Sequence, residues 1–370
     1  MGKDVEPLAL KIMIEEAINF DAPLVSFDAE THVLELWHGP TLAFKDFGAR
    51  FMARLMKYFR EGKDKELIIL TATSGDTGSA VAHGFLGVPG IRVIILYPSG
   101  KVSDIQEKQL TTMGQNISAL EIEGTFDDCQ RLVKQTFTDQ ELRAKLDLSS
   151  ANSINIARLI PQSFYYAWAC AQIGKTDKPI IVSVPCGNFG NLIAGLIAKR
   201  MGIPITRFIA ATNSNDIVPK YLLTGKFTPA ASKKTISNAM DVGNPSNFVR
   251  MLELYDHSVE NMRQDIVGYS FSDDATRMAI KEVYKRHGYI LDPHGAVAYL
   301  GLEKYQKEYG KEYRGIFFAT AHQAKFLDIV QPLINDPIPV PERLQEYMKR
   351  EKRSIVLSSE FEQLKRYLLG

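Results

Sequence analysis

The stretch Pro179-Ile-Ile-Val-Ser-Val-Pro185 is followed by Cys186-Gly-Asn-Phe-Gly-Asn191 and then by a helical run over residues 192–201. An apolar run of this length is typical of a strand that is buried on both faces. The glycine-containing turn and the helix that follow it complete the first half of a strand–helix–strand unit. This segment therefore predicts an α/β fold that is built on a parallel sheet.

The same alternation extends outward in both directions. Strand-like apolar runs are found at residues 67–70, 91–97, 117–122, 207–212 and 315–320. Helical patterns lie between them, and Pro161 predicts a break in the helical pattern over residues 152–173. Residues 220–247 show weak periodicity and are predicted to be mostly loop. The pattern favours open, mostly parallel sheets with helical crossovers.

Composition limits the class of protein. The chain has 370 residues, 45% hydrophobic and 24% charged, which predicts a folded globular protein of about two domains. Its 44 basic and 43 acidic residues give a net charge of +1, so neither nucleic acid nor an anionic membrane is expected as a partner.

Three widely spaced cysteines favour free thiols, and no histidine pair has the spacing of a metal site. The polar start carries no signal-peptide pattern, so the cytoplasm is the expected location.

Three glycine turns follow predicted strands. The loop from Gly187 to Asn191 can bring backbone N–H groups to a phosphate at a helix start, although a tight turn without a ligand explains it equally well. It is neither a dinucleotide fingerprint nor a nucleotide-binding P-loop. The turn at residues 74–78, with Thr73 before it, suits a carboxylate or an ordinary helix cap. The turn at residues 98–100 indicates only that a strand ends.

Lys45, Asn155 and Arg158 are further candidate site residues, but each can also be explained without a catalytic or binding role. Lys45 lies among apolar and aromatic neighbours that can lower the pKa of its amine, as a Schiff-base lysine requires, but it can also lie on a wet helix face. Asn155 and Arg158 are three residues apart on one predicted helix face. They can hold a phosphate together or remain solvated.

Taken together, these motifs identify a resemblance. The chain resembles the threonine synthase family, pyridoxal-phosphate enzymes of fold type II. The resemblance rests on seven ordered segments: Leu36-Trp-His-Gly-Pro-Thr-Leu-Ala-Phe-Lys-Asp-Phe, Thr71-Ala-Thr-Ser-Gly-Asp-Thr-Gly, Ser150-Ala-Asn-Ser-Ile-Asn, Ser183-Val-Pro-Cys-Gly-Asn-Phe-Gly-Asn, Phe208-Ile-Ala-Ala-Thr-Asn, Asn238-Ala-Met-Asp-Val and Thr320-Ala-His-Gln-Ala-Lys-Phe. It implies two open, mostly parallel α/β domains with pyridoxal 5'-phosphate between them.

The resemblance also implies residue roles. Lys45 matches the lysine that binds the cofactor covalently and acts as the catalytic residue. Thr320 matches the hydroxyl that faces the pyridine nitrogen, and Asp76 the residue beside the 3′ oxygen. The cofactor phosphate is assigned to Gly187, Asn188, Phe189, Gly190 and Asn191. The substrate carboxylate is assigned to Thr73, Ser74 and Thr77, and the substrate phosphate to Lys101, Asn152, Ser153, Asn155 and Arg158.

The resemblance implies a division of the chain as well. Residues 63–175 are expected to form a smaller domain, residues 1–62 with 176–335 a larger one, and residues 336–370 a helical tail. The chain lacks a segment of several dozen residues that longer members carry before the position of Met1, and Gln323 stands where proline is usual.

The expected reaction converts O-phospho-L-homoserine and water to L-threonine and phosphate in a monomer or homodimer. Two alternatives remain open at this point. One is a phospho-lyase of the same family that releases a 2-oxo acid. The other is a non-catalytic protein that keeps the fold and the cofactor.

Overall fold

The computed structural model describes residues 4–73 and 75–370. Its strands are Leu24–Ser26 (β1), Thr31–Glu35 (β2), Leu67–Ala72 (β3), Ile91–Pro98 (β4), Ile117–Glu123 (β5), Asp147–Ser150 (β6), Ile180–Pro185 (β7), Arg207–Thr212 (β8), Ile266–Ser270 (β9), Arg314–Ala319 (β10) and Ile355–Ser358 (β11). All the strands predicted above are present, within two residues of the predicted bounds.

The helices are Pro7–Ala17 (α1), Lys45–Arg60 (α2), Asp76–Phe85 (α3), Asp104–Thr111 (α4), Phe126–Thr138 (α5), Gln140–Lys145 (α6), Ile156–Leu159 (α7), Ser163–Ile173 (α8), Gly190–Arg200 (α9), Ile217–Thr224 (α10), Phe248–Leu254 (α11), Val259–Asp265 (α12), Asp273–His287 (α13), Pro293–Tyr309 (α14), Leu327–Val330 (α15), Glu342–Lys349 (α16) and Phe361–Leu369 (α17). The break predicted at Pro161 is confirmed, because a 3-10 turn at Ile160–Gln162 separates α7 from α8. No helix in the described part of the chain has the length and apolar character needed to cross a membrane.

The first of two compact units contains residues 4–20, 39–158 and 340–370. Its five strands are all parallel and lie in the order β11-β5-β4-β3-β6. Leu70, Leu96 and Leu120 from neighbouring strands pack with Leu132 of α5 and Leu364 of α17. The continuous apolar character of β3 follows from this, since all six of its residues are buried.

The second unit contains residues 21–38 and 159–339. Its six strands lie in the order β1-β2-β10-β7-β8-β9, and only the β1–β2 pair is antiparallel. Strands β7, β8 and β10 are parallel neighbours, so the loops after their carboxyl ends gather at one edge of this sheet. Ligands of open α/β sheets bind beyond that edge.

These units differ from the division expected from the sequence. Helix α2, which carries Lys45, lies in the same unit as residues 63–158 and packs against α3, and residues 159–175 lie in the second unit. A Cβ at Gly84 would lie 3.0 Å from the backbone carbonyl of Ala49, so this glycine allows the two helices to approach closely. Residues 340–370 are also part of this unit, because β11 pairs with β5.

Residues 340–370 are attached to the first unit by the buried carboxylate of Glu121. Glu121 in β5 accepts hydrogen bonds from Ser99 Oγ at 2.6 Å, Tyr97 Oη at 3.0 Å and Ser354 Oγ at 3.1 Å, and Lys352 Nζ lies 2.7 Å away. Burial raises the pKa of Glu121, but the hydrogen bonds from these four side chains outweigh burial and lower it to about 2. The carboxylate is therefore ionised in the folded protein.

Because this pKa lies below its value of 4.5 in an unfolded chain, Glu121 stabilises the fold above pH 4.5. That contribution is lost as the pH falls through about 2. We expect Glu121→Gln to lower the free energy of unfolding by about 1–3 kcal/mol at pH 7, as for other buried charged hydrogen-bond groups. Denaturant titrations across this pH range would measure it. The exposed Glu123→Gln on the same strand is the control, and an equal loss in both variants would contradict the prediction.

Candidate active site

Lys45 is the first residue of α2 and follows a tightly closed loop. The carboxylate of its neighbour Asp46 accepts 2.8 Å hydrogen bonds from both the backbone N–H and the hydroxyl of Thr41. Asp46 is fully buried, and a carboxylate in the first turn is favoured by the helix dipole. A Cβ at Gly39 would lie 2.5 Å from Asp46 Oδ2. The backbone on both sides of Lys45 is thus fixed by contacts within the first unit.

The Lys45 side chain is half-buried rather than on a fully solvated helix face. Its Nζ lies 5.8 Å from the centre of the Phe44 ring, within the range of a cation–π contact. The following residues from Asp46 to Ala53 are all buried. The aromatic ring of Phe44 is thus close to this amine, and an effect of the surroundings on its pKa stays a prediction.

The loop after β3 is organised by Thr73. Its hydroxyl accepts hydrogen bonds from the N–H groups of Gly75, at 3.0 Å, and Gly78, at 2.8 Å. Gly75 has a φ of 143°, which side chains rarely tolerate. Thr77 is half-buried in the first turn of α3, and Ser74 lies outside the described residues. This geometry is consistent with a pre-shaped loop for a carboxylate.

Asp76 begins α3 and is held by a residue that the sequence did not indicate. Gln106 Nε2 donates a 2.8 Å hydrogen bond to Asp76 Oδ1. Gln106 is itself buried in α4, where Ser103 caps the helix and donates to its amide oxygen at 3.1 Å. Thirty residues separate the pair, and nothing local in the sequence marks the contact.

The proposed residues for the substrate phosphate lie in or after the loop that follows β6, with Lys101 exposed after β4. Asn152 exchanges two hydrogen bonds with the backbone of Ala72, at 2.7 and 3.1 Å. Asn155 donates to the Ser150 carbonyl at 3.0 Å. Both amides therefore hold the loop, and Ser153 is half-buried beside them.

Arg158 is buried, with 3% of its surface exposed. Its guanidinium donates a hydrogen bond to the Ala151 carbonyl, and burial lowers its pKa to about 10, which still leaves it charged at neutral pH. A Cβ at Gly48 would lie 2.5 Å from the Arg158 carbonyl oxygen, so this segment presses on α2. Arg158 thus holds the segment in place, and a direct contact with a substrate phosphate stays a prediction.

The glycine loop after β7 leads directly into α9. Phe189 has a φ of 62°, and the Asn191 amide donates to the Pro185 carbonyl at 2.8 Å. Asn188 Oδ1 accepts from Ser246, whose N–H and hydroxyl lie 3.1 and 3.2 Å away. Within the described parts of the chain, no protein acceptor is found for the backbone N–H groups of residues 187–191.

These N–H groups fit the phosphate of pyridoxal phosphate. They lie at the start of an eleven-residue helix, where backbone donors and the helix dipole favour an anion. Gly187 is required there for space, because its Cβ would lie 2.6 Å from the Ala239 carbonyl oxygen. The donor chemistry and the close packing of this loop both suit a phosphate.

Thr320 follows β10 at the same sheet edge as this loop. It is three residues beyond Phe317, which pairs with Ser183 in β7, and 5% of its surface is exposed.

Nearby His322 packs edge-on against Trp37 at 4.7 Å between ring centres. Burial lowers the pKa of His322 to about 4, so it is neutral at pH 7. Gln323 begins a 3-10 turn over Gln323–Phe326.

A third segment, residues 235–242, packs against the glycine loop. It contains the 3-10 turn Asn238–Met240, and Asp241 accepts hydrogen bonds from Thr235 N at 2.9 Å, Thr235 Oγ1 at 2.7 Å and Asn213 Nδ2 at 2.9 Å. Burial raises the pKa of Asp241 to about 6. The sequence singled out the motif at 238–242 without giving it a role.

The predicted site residues are distributed over the two units. The first contains Lys45, Thr73, Asp76, Thr77, Lys101 and the 152–158 segment. The second contains the 187–191 loop and Thr320. Among residues 4–73 and 75–370 there is no cluster of histidine, cysteine, aspartate or glutamate suited to a metal ion. The three cysteines are buried free thiols, as the sequence predicts.

Comparison with known proteins gives consistent results. A family described as pyridoxal-phosphate dependent enzyme matches residues 26–320, and one described as threonine synthase, C-terminal, matches residues 295–368. The threonine synthase of Escherichia coli is 45% identical over 371 residues, covering 100% of this chain and 85% of that protein. That of Haemophilus influenzae is 47% identical over 361 residues, covering 97% and 83%.

Solved structures agree with the sequence comparison. The crystal structure of the Escherichia coli threonine synthase superposes with a TM-score of 0.93 and covers 100% of this chain and 85% of that chain. The structure of pyridoxal-phosphate-bound threonine synthase from Brucella melitensis is 36% identical, with a TM-score of 0.91, and covers 99% and 85%.

Proposed function

Because this chain belongs to the threonine synthase family of pyridoxal-phosphate dependent enzymes, we propose that its substrate is O-phospho-L-homoserine and that Lys45 is its catalytic residue. Its activity is that of a threonine synthase, a lyase that depends on pyridoxal phosphate. In the proposed reaction Cβ loses a proton and the bond between Cγ and the phosphate oxygen breaks. Cγ then gains a proton and becomes a methyl group, and the hydroxyl of water is added at Cβ.

The proposed role of Lys45 uses its place at the fixed start of α2. Its amine would bind the cofactor covalently, move protons at Cα and Cβ of the substrate, and finally return a proton to Cα. When bound, the cofactor supplies the electron sink that makes Cα acidic. The Lys45 side chain is half-buried, and proton removal by a positioned amine is general base catalysis.

The second unit would hold the cofactor through its phosphate and ring. The N–H groups of residues 187–191 would donate to the phosphate. The Thr320 hydroxyl would meet the pyridine nitrogen, and a neutral partner of this kind does not force that nitrogen to be protonated. In the first unit, Asp76 would lie near the 3′ oxygen, held in place by Gln106.

The substrate would be held by the loops of the first unit. Its carboxylate would bind at Thr73, Ser74 and Thr77, where the Thr73 hydroxyl already shapes the loop. Its phosphate would bind near Lys101 and the loop that carries Asn152, Ser153 and Asn155, with Arg158 behind them. The same groups would hold the phosphate after it leaves.

The observation that carries this proposal is the loop at residues 187–191, whose N–H groups lack protein acceptors in the described structure. The test is to incubate the purified chain and pyridoxal phosphate with O-phospho-L-homoserine and to measure phosphate and threonine together. We expect equal amounts of both. Phosphate with 2-oxobutyrate and ammonia would identify a phospho-lyase, and cofactor binding without either product would identify a non-catalytic protein.

Arg158 provides a separate prediction. We expect Arg158→Lys to lower the free energy of unfolding by about 1–3 kcal/mol, because lysine does not reproduce the planar donors of a buried guanidinium. The exposed Arg143→Lys in α6 is the control, and denaturant titration is the measurement. Unchanged stability of Arg158→Lys would contradict the structural role.

The same variant tests the ligand role of Arg158. Inorganic phosphate, as a product, is expected to inhibit competitively. An inhibition constant raised about tenfold in Arg158→Lys would support a direct contact, because a hydrogen bond to a charged group contributes about 1.5–3 kcal/mol. Inhibition and Michaelis constants equal to those of the wild type would assign Arg158 only to holding residues 151–158.

We further propose that the enzyme is cytoplasmic, that it acts on small molecules without nucleic acid or membrane partners, and that it is a monomer or homodimer. The balanced composition and the similarity to bacterial threonine synthases support this. Light scattering on the purified protein would determine the oligomeric state.

A further inference from the structure

His294, at the start of α14, has no part in the roles proposed above. It is 3% exposed, and both of its ring nitrogens have partners. Nδ1 lies 2.8 Å from Asp292 Oδ2, and Nε2 lies 3.2 Å from the backbone nitrogen of Ala239. A backbone N–H can only donate, so Nε2 is the acceptor and the ring hydrogen is on Nδ1. The contacts therefore assign one tautomer to His294.

Asp292 fixes the ring in this orientation. It is the N-cap of α14 and is 2% exposed. Its Oδ1 accepts from the N–H of Gly295 at 3.1 Å, and its Oδ2 accepts from the N–H of His294 at 2.9 Å as well as from the ring. The carboxylate thus ties the imidazole to the rigid start of a seventeen-residue helix.

Ala239 connects this pair to the phosphate loop. The N–H of Ala239 donates to His294. A Cβ at Gly187 would lie 2.6 Å from the carbonyl oxygen of Ala239 and 3.0 Å from the Cα of Met240. The peptide of Ala239 therefore forms a wall of the 187–191 loop. Asp241 anchors the far side of the same segment through Thr235 and Asn213.

We propose that His294 is a positioning residue for the cofactor phosphate: through Ala239 it holds the wall against which the 187–191 loop takes its shape. This inference rests on the proposed role of that loop. It follows the pattern in which a carboxylate orients a histidine whose other nitrogen then fixes a third group. His294 does not itself touch the phosphate.

The test compares pyridoxal phosphate with pyridoxal, which lacks the phosphate, in binding titrations of the full-length apoprotein. We expect His294→Leu to weaken pyridoxal phosphate binding about tenfold, since the N–H of Ala239 is left without its acceptor. Pyridoxal binding should change less than threefold. His294→Gln, whose amide oxygen can accept from Ala239, should restore most of the preference for pyridoxal phosphate.

Asp292→Asn supplies a second variant of nearly the same shape. An amide has one acceptor oxygen where Asp292 has two, so it must place its NH2 group either against the N–H of Gly295 or against the N–H and ring of His294. Either orientation weakens the hold on the imidazole. We expect the same selective loss for pyridoxal phosphate, and a changed ³¹P NMR shift of the bound phosphate in the holoenzyme. His32→Leu is the control, because His32 is also buried in the second unit but pairs with Ser26 in the β1–β2 hairpin.

The outcomes separate this inference from the proposed function. If His294→Leu and Asp292→Asn bind both ligands like the wild type, or weaken both equally as His32→Leu does, His294 is only structural and the inference is wrong. If the wild type shows no preference for pyridoxal phosphate over pyridoxal, the role of the 187–191 loop fails first. A selective loss that His294→Gln reverses supports the inference.

Discussion

Lys45→Ala is expected to lose at least about three orders of magnitude in turnover, because in the proposed reaction one amine both binds the cofactor and transfers the proton at Cα. The structure places this lysine at the start of α2, where Asp46 and Thr41 fix the backbone. The measurement is steady-state production of phosphate and threonine. It is paired with borohydride reduction, which should attach pyridoxal phosphate permanently to the wild type but not to the variant.

Lys57→Ala is the matched control, since Lys57 is exposed on the same helix. It should retain wild-type turnover and covalent labelling. Near-normal turnover of Lys45→Ala, or cofactor attached to a different lysine in the reduced wild type, would contradict the assignment.

Gly187→Ala is expected to weaken pyridoxal phosphate binding by about 10- to 100-fold in a protein that remains folded. The added Cβ would lie 2.6 Å from the carbonyl oxygen of Ala239, and backbone atoms cannot turn aside as a flexible side chain can. The loop must shift, so some of the charge-assisted hydrogen bonds that we propose it makes to the phosphate would be lost, at about 1.5–3 kcal/mol each. Titration of the apoprotein with the cofactor measures the effect.

Gly268→Ala tests whether that effect is specific. A Cβ at Gly268 in β9 would lie 2.7 Å from the Cα of Pro219 in α10, which is also a backbone atom but does not belong to the 187–191 loop or its wall. We expect this control to lower thermal stability while leaving the affinity for pyridoxal phosphate within about threefold. Equal affinities in the wild type and Gly187→Ala would show that the phosphate binds elsewhere.

The sheets could be predicted largely because strands that are buried on both faces of a parallel sheet have continuous apolar sequences. Strand β8 was predicted with its observed bounds, and β7 within one residue. Strand β6, Asp147-Leu-Ser-Ser150, could not be found in this way because it is short, polar and half-buried. Strand β11 is also partly exposed at a sheet edge, and its partner β5 lies more than 200 residues earlier in the chain.

The candidate site follows the same rule. The glycine loops directly follow predicted strands, and Lys45 has apolar and aromatic neighbours in the sequence. These features are local, so the sequence alone indicated them as candidate site residues. Gln106 beside Asp76 and His294 beside Ala239 could not be predicted, because each contact joins residues 30 or 55 positions apart. The two compact units depend on such distant contacts too, since α2, which carries Lys45, is grouped with α3.

The position of β11 has a consequence for synthesis of the protein. The first sheet ends with a strand from residues 355–358, although its other four strands are complete by residue 150. At roughly 5–20 residues per second, the ribosome needs about 10–40 s to make the intervening chain. During that time the edge of β5 lacks β11, and Glu121 lacks Lys352 and Ser354 although Tyr97 and Ser99 are already made. An open strand edge can pair wrongly, so we expect newly made chains to be most prone to aggregation while the second unit is still being translated.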